Sequence, residues 1–325
     1  MEVKHPQMIP VPITDFIGGT VVPVNLYVRL SDSKFVLVSN AGQKPNKDQF
    51  KTYENKTVEY RWVKREEYSK LIANNLSIAG VVVTASNLNV HQKTTILSQA
   101  AGSVFTELEH MGLSFDSYTH SKQIVEATVA LSESHRDLSD LFASLKDCND
   151  QVLQHSLAVS CISVMIAQVL KWENQQTVEK LALGALLHNI GLKSLPAELV
   201  SKPKAKMTFD EIQLYETHPF KGMQMLLGLG IVPDDVIAVA YEHHENAIGQ
   251  GYPRKLRNLK IHPLAKVVAL ASDFCELTLP GPNNTNPRTP REAITTIEVT
   301  MGQPHNREAF RALQLIVNKE FAKTG

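Results

Sequence analysis

Neither charge predominates in this sequence. Its 33 basic and 33 acidic residues cancel, which removes the bulk electrostatic footprint of a protein that coats nucleic acid or an anionic membrane. Any anionic ligand must therefore be held by a local arrangement of cations. Cysteine is sparse: Cys148, Cys161 and Cys275 form an odd set without metal-ligand spacing, which excludes a disulfide framework and fits free thiols in a reducing compartment. No apolar run approaches the roughly 20 residues that span a bilayer. The opening MEVKHPQMIPVPITDF lacks the basic and apolar regions of a secretory leader, so the expectation is a cytoplasmic protein without a membrane span. A Gly-rich phosphate loop, internal repeats and low-complexity tracts are also missing.

What the chain does have is apolar patterning. Of its 325 residues 43% are apolar and 20% charged, enough for two packed domains. TVVPVNLYVRLSDSKFVLVSN (20–40) alternates apolar and polar residues on both sides of a Ser/Asp/Lys turn, which predicts a β-hairpin with one buried face. KTVEYRWV (56–63) predicts a third strand, and KREEYSKLIANNLS then shifts to a helical period. From residue 88 onward helical periods dominate. Thr208 and Glu211 have capping-box spacing, which places a helix start near Phe209, and PGPNNTNPRTP (280–290) is a loop by composition. The expected fold class is α+β: a small β-rich unit over 1–80, a helical linker over 81–146 and an all-α domain over 147–325. Residues 1–80 carry no legible chemistry, so they read equally as a regulatory or a plain structural module.

Five of the 12 histidines recur where a helical core could gather them: His155, His188, His218, His243 and His244. A lone histidine on a helix is more often a surface or hydrogen-bonded core residue than a ligand. The adjacent His243-His244 pair, followed by Glu245, is a stronger signal, because neutral imidazole is the commonest protein donor for transition metals. Neighbours on a helix point about 100° apart, so such a pair serves one site only at a helix end or across two metals. For LLHNIG the purely structural interpretation has Leu186, Leu187 and Ile190 in the core, Asn189 satisfying local backbone groups and Gly191 supplying a C-terminal turn.

The joint pattern is more specific. In order the chain reads QHSLAVSCISVMIAQVL, LALGALLHNIGLKSLPAEL, SKPKAKMTFDEIQLYETHPFKGMQML, AVAYEHHENAIGQGYP and HPLAKVVALASDFCEL. Over residues 147–320 this resembles the HD-GYP family of bacterial cyclic di-GMP phosphodiesterases, a branch of the HD metal-dependent phosphohydrolases. The resemblance implies an HD-type helical core holding two or more divalent metals (Fe, Mn or Zn), with hydrolysis of a phosphodiester by metal-bound hydroxide. It assigns His155 and His188 to the first metal, and His218, His243 and His244 to the second and any third. It makes Gly249, Gly251, Tyr252 and Pro253 the loop that meets substrate or partner, with Lys193 and Arg254 beside it. Cyclic di-GMP or a related phosphate ligand is the implied small molecule, a GGDEF-type signalling protein the implied partner at that loop, and no nucleic-acid polymer is implied.

The departures from the family pattern concern charge. Asn189 stands where the family has an aspartate that bridges two metals, and a neutral amide bridges cations poorly. Ser272 stands where a late-helix ligand aspartate is expected, with Asp273 one residue along and turned about 100° away. Leu192 replaces the usual lysine, with Lys193 one place late, and Ile248 replaces an aspartate before the Gly-x-Gly-Tyr-Pro loop. Asn189 and Asp273 are thus the marginal members of the ligand set, and reduced metal occupancy is expected. Lys202, Lys204 and Lys206 read either as a solvated loop or, with Lys193, Lys221, Arg254 and Arg257, as cations for a phosphate ligand. Two functions stand: a degenerate family member that keeps ligand or partner binding with little or no hydrolysis, and an active metal-dependent cyclic di-GMP phosphodiesterase.

Overall fold

The computed structural model describes residues 8–31, 33–44, 60–134, 138, 145, 151–300 and 306–321. The first half of the expected third strand (56–59), Cys148 and the 146/147 boundary lie outside the described residues. Strands β1 (Met8–Pro12), β2 (Leu26–Ser31), β3 (Lys34–Ser39) and β4 (Tyr60–Lys64) form one antiparallel sheet in the order β1-β4-β2-β3. The hairpin predicted over 20–40 is β2-β3, and the third predicted strand is β4. Strand β1 had no signal in the sequence because Pro10 and Pro12 argue against a strand. It exists because it pairs on one side only, with Pro10 opposite Trp62, and an edge strand tolerates missing N–H donors. The buried face comes from Ile9, Val11, Leu26, Val28 and Val63, whereas Val36 and Leu37 on the other edge, β3, are exposed.

Helices α1 (Tyr68–Thr84), α2 (Val90–His110) and α3 (Phe115–Ser134) follow the sheet. Helix α2 begins at a capping box between Asn89 and Gln92. Buried polar groups tie α1 to α2: Asn75 Nδ2 donates to Ser103 Oγ (2.7 Å) and to the Asp15 carbonyl (3.2 Å), and the Tyr68 hydroxyl donates to the Ser103 carbonyl (2.8 Å).

The rest is helical: α4 (Gln151–Val169), α5 (Gln175–Leu187), the short α6 (Ala197–Val200), α7 (Phe209–Tyr215), α8 (His218–Gly228), α9 (Asp234–Glu242), α10 (Pro263–Thr278), α11 (Pro290–Thr300) and α12 (Arg307–Phe321). The Thr208–Glu211 capping box starts α7 at Phe209, as its spacing predicts. Helix α4 is apolar on every side and packs against α3, α5, α10 and α12. It is long and apolar enough to cross a membrane, and it is mostly buried inside the bundle, as expected of a central helix with no polar face. Buried apolar side chains form one connected cluster from Ile9 to Val317.

Leu157, 1% exposed at the middle of α4, tests that centre. Leu157→Ala is expected to cost about 2–5 kcal/mol, measured as a lower urea midpoint; an unchanged midpoint would mean the bundle does not depend on α4.

Candidate metal centre

Each of the five histidines sits where a helix starts or stops, except His155, which lies on the first turns of α4. His188 follows the last residue of α5, His218 opens α8, and His243 and His244 follow α9. A helix end is the place where a His-His pair can converge. Gly191 decides how closely these ends meet. A Cβ there would overlap the His218 carbonyl oxygen and lie 2.6 Å from the Gly222 nitrogen, so the 3-10 turn Ile190–Ser194 rests directly on the first turn of α8. Gly191 is not a left-handed helix cap, since it is not among the positive-φ residues; its lack of a side chain serves close approach. Gly251 acts likewise at α9: its Cβ would overlap the His244 carbonyl and lie 2.6 Å from Glu245 Cα. That folds the Gly-x-Gly-Tyr-Pro loop back onto the histidine pair.

Glu245, which follows the pair, is occupied by this loop. Its carboxylate accepts the Arg254 N–H (2.6 Å) and the Leu256 N–H (2.7 Å). Tyr252 is thereby turned inward and stacks on His244, with centroids 4.5 Å apart and planes at 21°.

The rings form a connected chain: His155 to His188 (5.3 Å between centroids), His188 to His243 (4.9 Å), and His243 to His218 (5.3 Å) and His244 (4.2 Å). Three of them are oriented by the same device. The Nδ1–H groups of His188, His218 and His243 donate to the carbonyls of Ala185 (2.6 Å), Tyr215 (2.8 Å) and Ala240 (3.0 Å), each three residues earlier. A neutral ring that donates from Nδ1 has a lone pair on Nε2, so three lone pairs are aimed into the cluster. Burial keeps the rings neutral. It holds His188 down to about 4 and His218 to about 3, and it lowers His155 to about 3 with help from the neighbouring His188. His243 and His244 are depressed by burial and then by the adjacent imidazoles.

This donor set fits a metal ion. His188 Nε2 is buried and has no hydrogen-bond partner. His218 Nε2 and His243 Nε2 face each other at 3.2 Å with both Nδ1 hydrogens already committed, so between neutral rings the contact brings two lone pairs together. A cation removes that repulsion, and 3.2 Å is the spacing of two nitrogens each bonded at about 2.0–2.1 Å to one ion, at an angle of about 100°. The donor atoms of His218, His243 and His244 all lie within 4.8 Å of one another. The Nδ1-to-carbonyl bonds are the orienting partners that metal-ligating histidines need.

The carboxylates are placed differently. Ser272, 3% exposed on α10, puts Oγ 3.2 Å from His155 Nε2, so a hydroxyl occupies the side where the family resemblance implies a ligand aspartate. Asn189 sits in the turn after His188 and makes no side-chain cap hydrogen bond, so the local capping role considered for it is not what this turn uses. Asp273 is not among the side chains whose donor atoms gather at His218, His243 and His244. It lies near Glu276, which is exposed on α10 and whose carboxyl is pushed up by the protein around it and then by Asp273.

Most candidate cations are already engaged. Lys193 pairs with Glu109 (3.4 Å), Lys202 with Glu211 (2.7 Å) and Arg254 with Glu242 (3.5 Å), and Lys221 donates to the Ser194 carbonyl (3.5 Å). Lys204 differs: its ammonium lies 5.4 Å from the Tyr215 ring centroid and 5.2 Å from that of Tyr252. Sequence reasoning missed Tyr215 and Glu276. Glu276 was findable, since it follows Ser272 by four residues on one helix and so shares its face.

The family model described as "HD domain" matches residues 139–306. The chain is 30% identical over 172 residues to a cyclic di-GMP phosphodiesterase of Pseudomonas aeruginosa, covering 53% of this chain and 41% of that protein. It is 31% identical over 154 residues to a 3'3'-cGAMP-specific phosphodiesterase of Vibrio cholerae (46% and 34% covered) and 26% identical over 231 residues to a cyclic di-GMP phosphodiesterase of Thermotoga maritima (69% and 54% covered). The chain thus spans about half or less of the length of these relatives. An HDG"Y"P protein from Bdellovibrio bacteriovorus has the same fold, with a TM-score of 0.73 over 98% of this chain and all of that one, at 20% identity. The chain belongs to the HD domain family, in its HD-GYP branch, a metal-dependent family.

Two outcomes follow from this packing. Gly191→Ala forces the 3-10 turn off α8 and is expected to cost about 1–3 kcal/mol or more and to lower bound metal, read by thermal melting and elemental analysis; retained metal at wild-type stability would show that the close approach is dispensable. The depressed histidines make the metal-free protein acid-labile. Their folded pKa values lie below the unfolded value of 6.5, so the unfolded chain binds protons first as pH falls. Stability is expected to hold above pH 6.5 and to decline from there towards the folded values of about 4 and about 3; a flat profile across that window contradicts neutral burial.

Proposed function

We propose that this chain is a cyclic di-GMP signalling protein that keeps a histidine-lined metal site at reduced occupancy, recognises its ligand there and hydrolyses it weakly or not at all. The relatives' names supply the ligand class: two are cyclic di-GMP phosphodiesterases and one acts on another cyclic dinucleotide. The observation that carries the weak-hydrolysis reading is the contact of Ser272 Oγ with His155 Nε2. A hydroxyl there offers no negative charge, and the amide of Asn189, next to His188 in the chain, offers none either. Two divalent ions held close together without bridging carboxylates repel each other across a poorly screened interior, which favours single occupancy.

His218, His243 and His244 would hold that ion, with His188 beside them, and a divalent ion supplies Lewis acidity and water activation when bound. The remaining work falls to the chain's own groups. The Nδ1-to-carbonyl bonds hold His188, His218 and His243 in one tautomer. Tyr252 covers His244 and restricts water on that side. His244 is the partly exposed member of the triad, so a ligand approaches past it. A GGDEF-type partner would meet the outer part of the Gly-x-Gly-Tyr-Pro loop, where Ile248 is 49% exposed.

An active phosphodiesterase is the second reading, favoured by the carboxylates of Asp273 and Glu276 on the helix that carries Ser272. Metal content and hydrolysis with Mn²⁺ or Fe²⁺, compared between wild type and an Asn189→Asp plus Ser272→Asp double variant, separate the two. The expected result is a gain in both metal and turnover, with wild-type turnover lower by about 100-fold or more, the size of effect that losing a charged stabilising group carries. Robust wild-type turnover that the double substitution leaves unchanged would sink the weak-hydrolysis reading.

A further inference from the structure

Lys204 is the one candidate cation whose head lies between two aromatic rings that also touch the metal-site histidines. The Tyr215 ring is 5.2 Å from that of His218, and Tyr252 stacks on His244. Lys204 Nζ lies over both tyrosines, and the Lys204 backbone N–H donates to Asn283 Oδ1 (2.7 Å), which fastens its loop to the segment after α10. Among the described residues it has no carboxylate at ion-pair distance, in contrast to Lys193, Lys202 and Arg254. Ring faces hold an ammonium without neutralising it.

An ammonium in this position attracts an anion. We infer that Lys204 is the phosphate-binding cation of this site: caged by Tyr215 and Tyr252, it takes a non-bridging oxygen of the ligand's phosphodiester and supplies positive charge beside the imidazole triad. The inference rests on the cyclic dinucleotide reading above for the ligand but not for the cation. An unsaturated ammonium has donors to give to phosphate oxygens, and the approach past the partly exposed His244 brings the ligand alongside it.

The test is calorimetric titration of the metal-loaded full chain with cyclic di-GMP and, separately, with inorganic phosphate. Wild type is compared with Lys204→Met, Lys204→Gln and Lys204→Arg, with metal content and melting temperature recorded for each. The neutral variants are expected to weaken both probes roughly ten- to a hundredfold and to flatten the salt dependence, with metal content not lowered; Lys204→Arg keeps most of the affinity. Phosphate binding that depends on Lys204, with no binding of cyclic di-GMP by wild type, keeps the lysine assignment and overturns the dinucleotide reading. Wild-type affinity for both probes in a folded neutral variant overturns the assignment. So does a weakening that tracks loss of metal, or a wild-type chain that binds neither probe.

Discussion

Three hydrogen bonds of one kind organise this site. His188, His218 and His243 each give the Nδ1 hydrogen to the carbonyl three residues back, at the end or the first turn of a helix where that carbonyl is within reach. The bond fixes tautomer and ring angle together, so His218 and His243 bring their Nε2 atoms to 3.2 Å and His188 keeps a buried, unpartnered Nε2. Burial then keeps the rings neutral. A helix end is used because the ring turns inward there without interrupting the helix behind it.

Convergence also demands close packing of backbone. The turn after His188 can rest on the first turn of α8 only because residue 191 has no side chain, and the loop after His244 can return over α9 only because residue 251 has none. The turn that carries Asn189 reaches further, through Lys193 to Glu109 near the end of α2, so the helices between the sheet and the bundle touch the element that positions His188. Arg65, just after β4, donates to the carbonyl of the neighbouring His110 (3.2 Å).

The electrostatics of the site then differ from those of a carboxylate-rich metal cluster. The imidazoles are neutral, Ser272 and Asn189 bring no charge, and Asp273 and Glu276 stand along α10 outside the imidazole triad. Lys204 adds a positive charge beside the triad. This balance suits a single ion and an anionic ligand better than two ions in contact.

The histidines, the capping box at Thr208 and the hairpin were all legible in the sequence, because each is a local pattern of period, spacing or turn chemistry. Membership of the HD-GYP branch was legible for the same reason, through residues in fixed register. Strand β1 was not: its prolines speak against a strand, and only its place at the sheet edge excuses them. The roles of Glu245, Gly191 and Lys204 were equally hidden. Glu245 looks like a metal donor beside two histidines but is spent on two backbone N–H groups nine and eleven residues on; Gly191 looks like a helix cap but serves a neighbouring helix. The sequence by itself determined which donors and which missing charges this protein has. Only tertiary packing decided which of them face one another, because that depends on where distant helix ends meet and no local pattern records it.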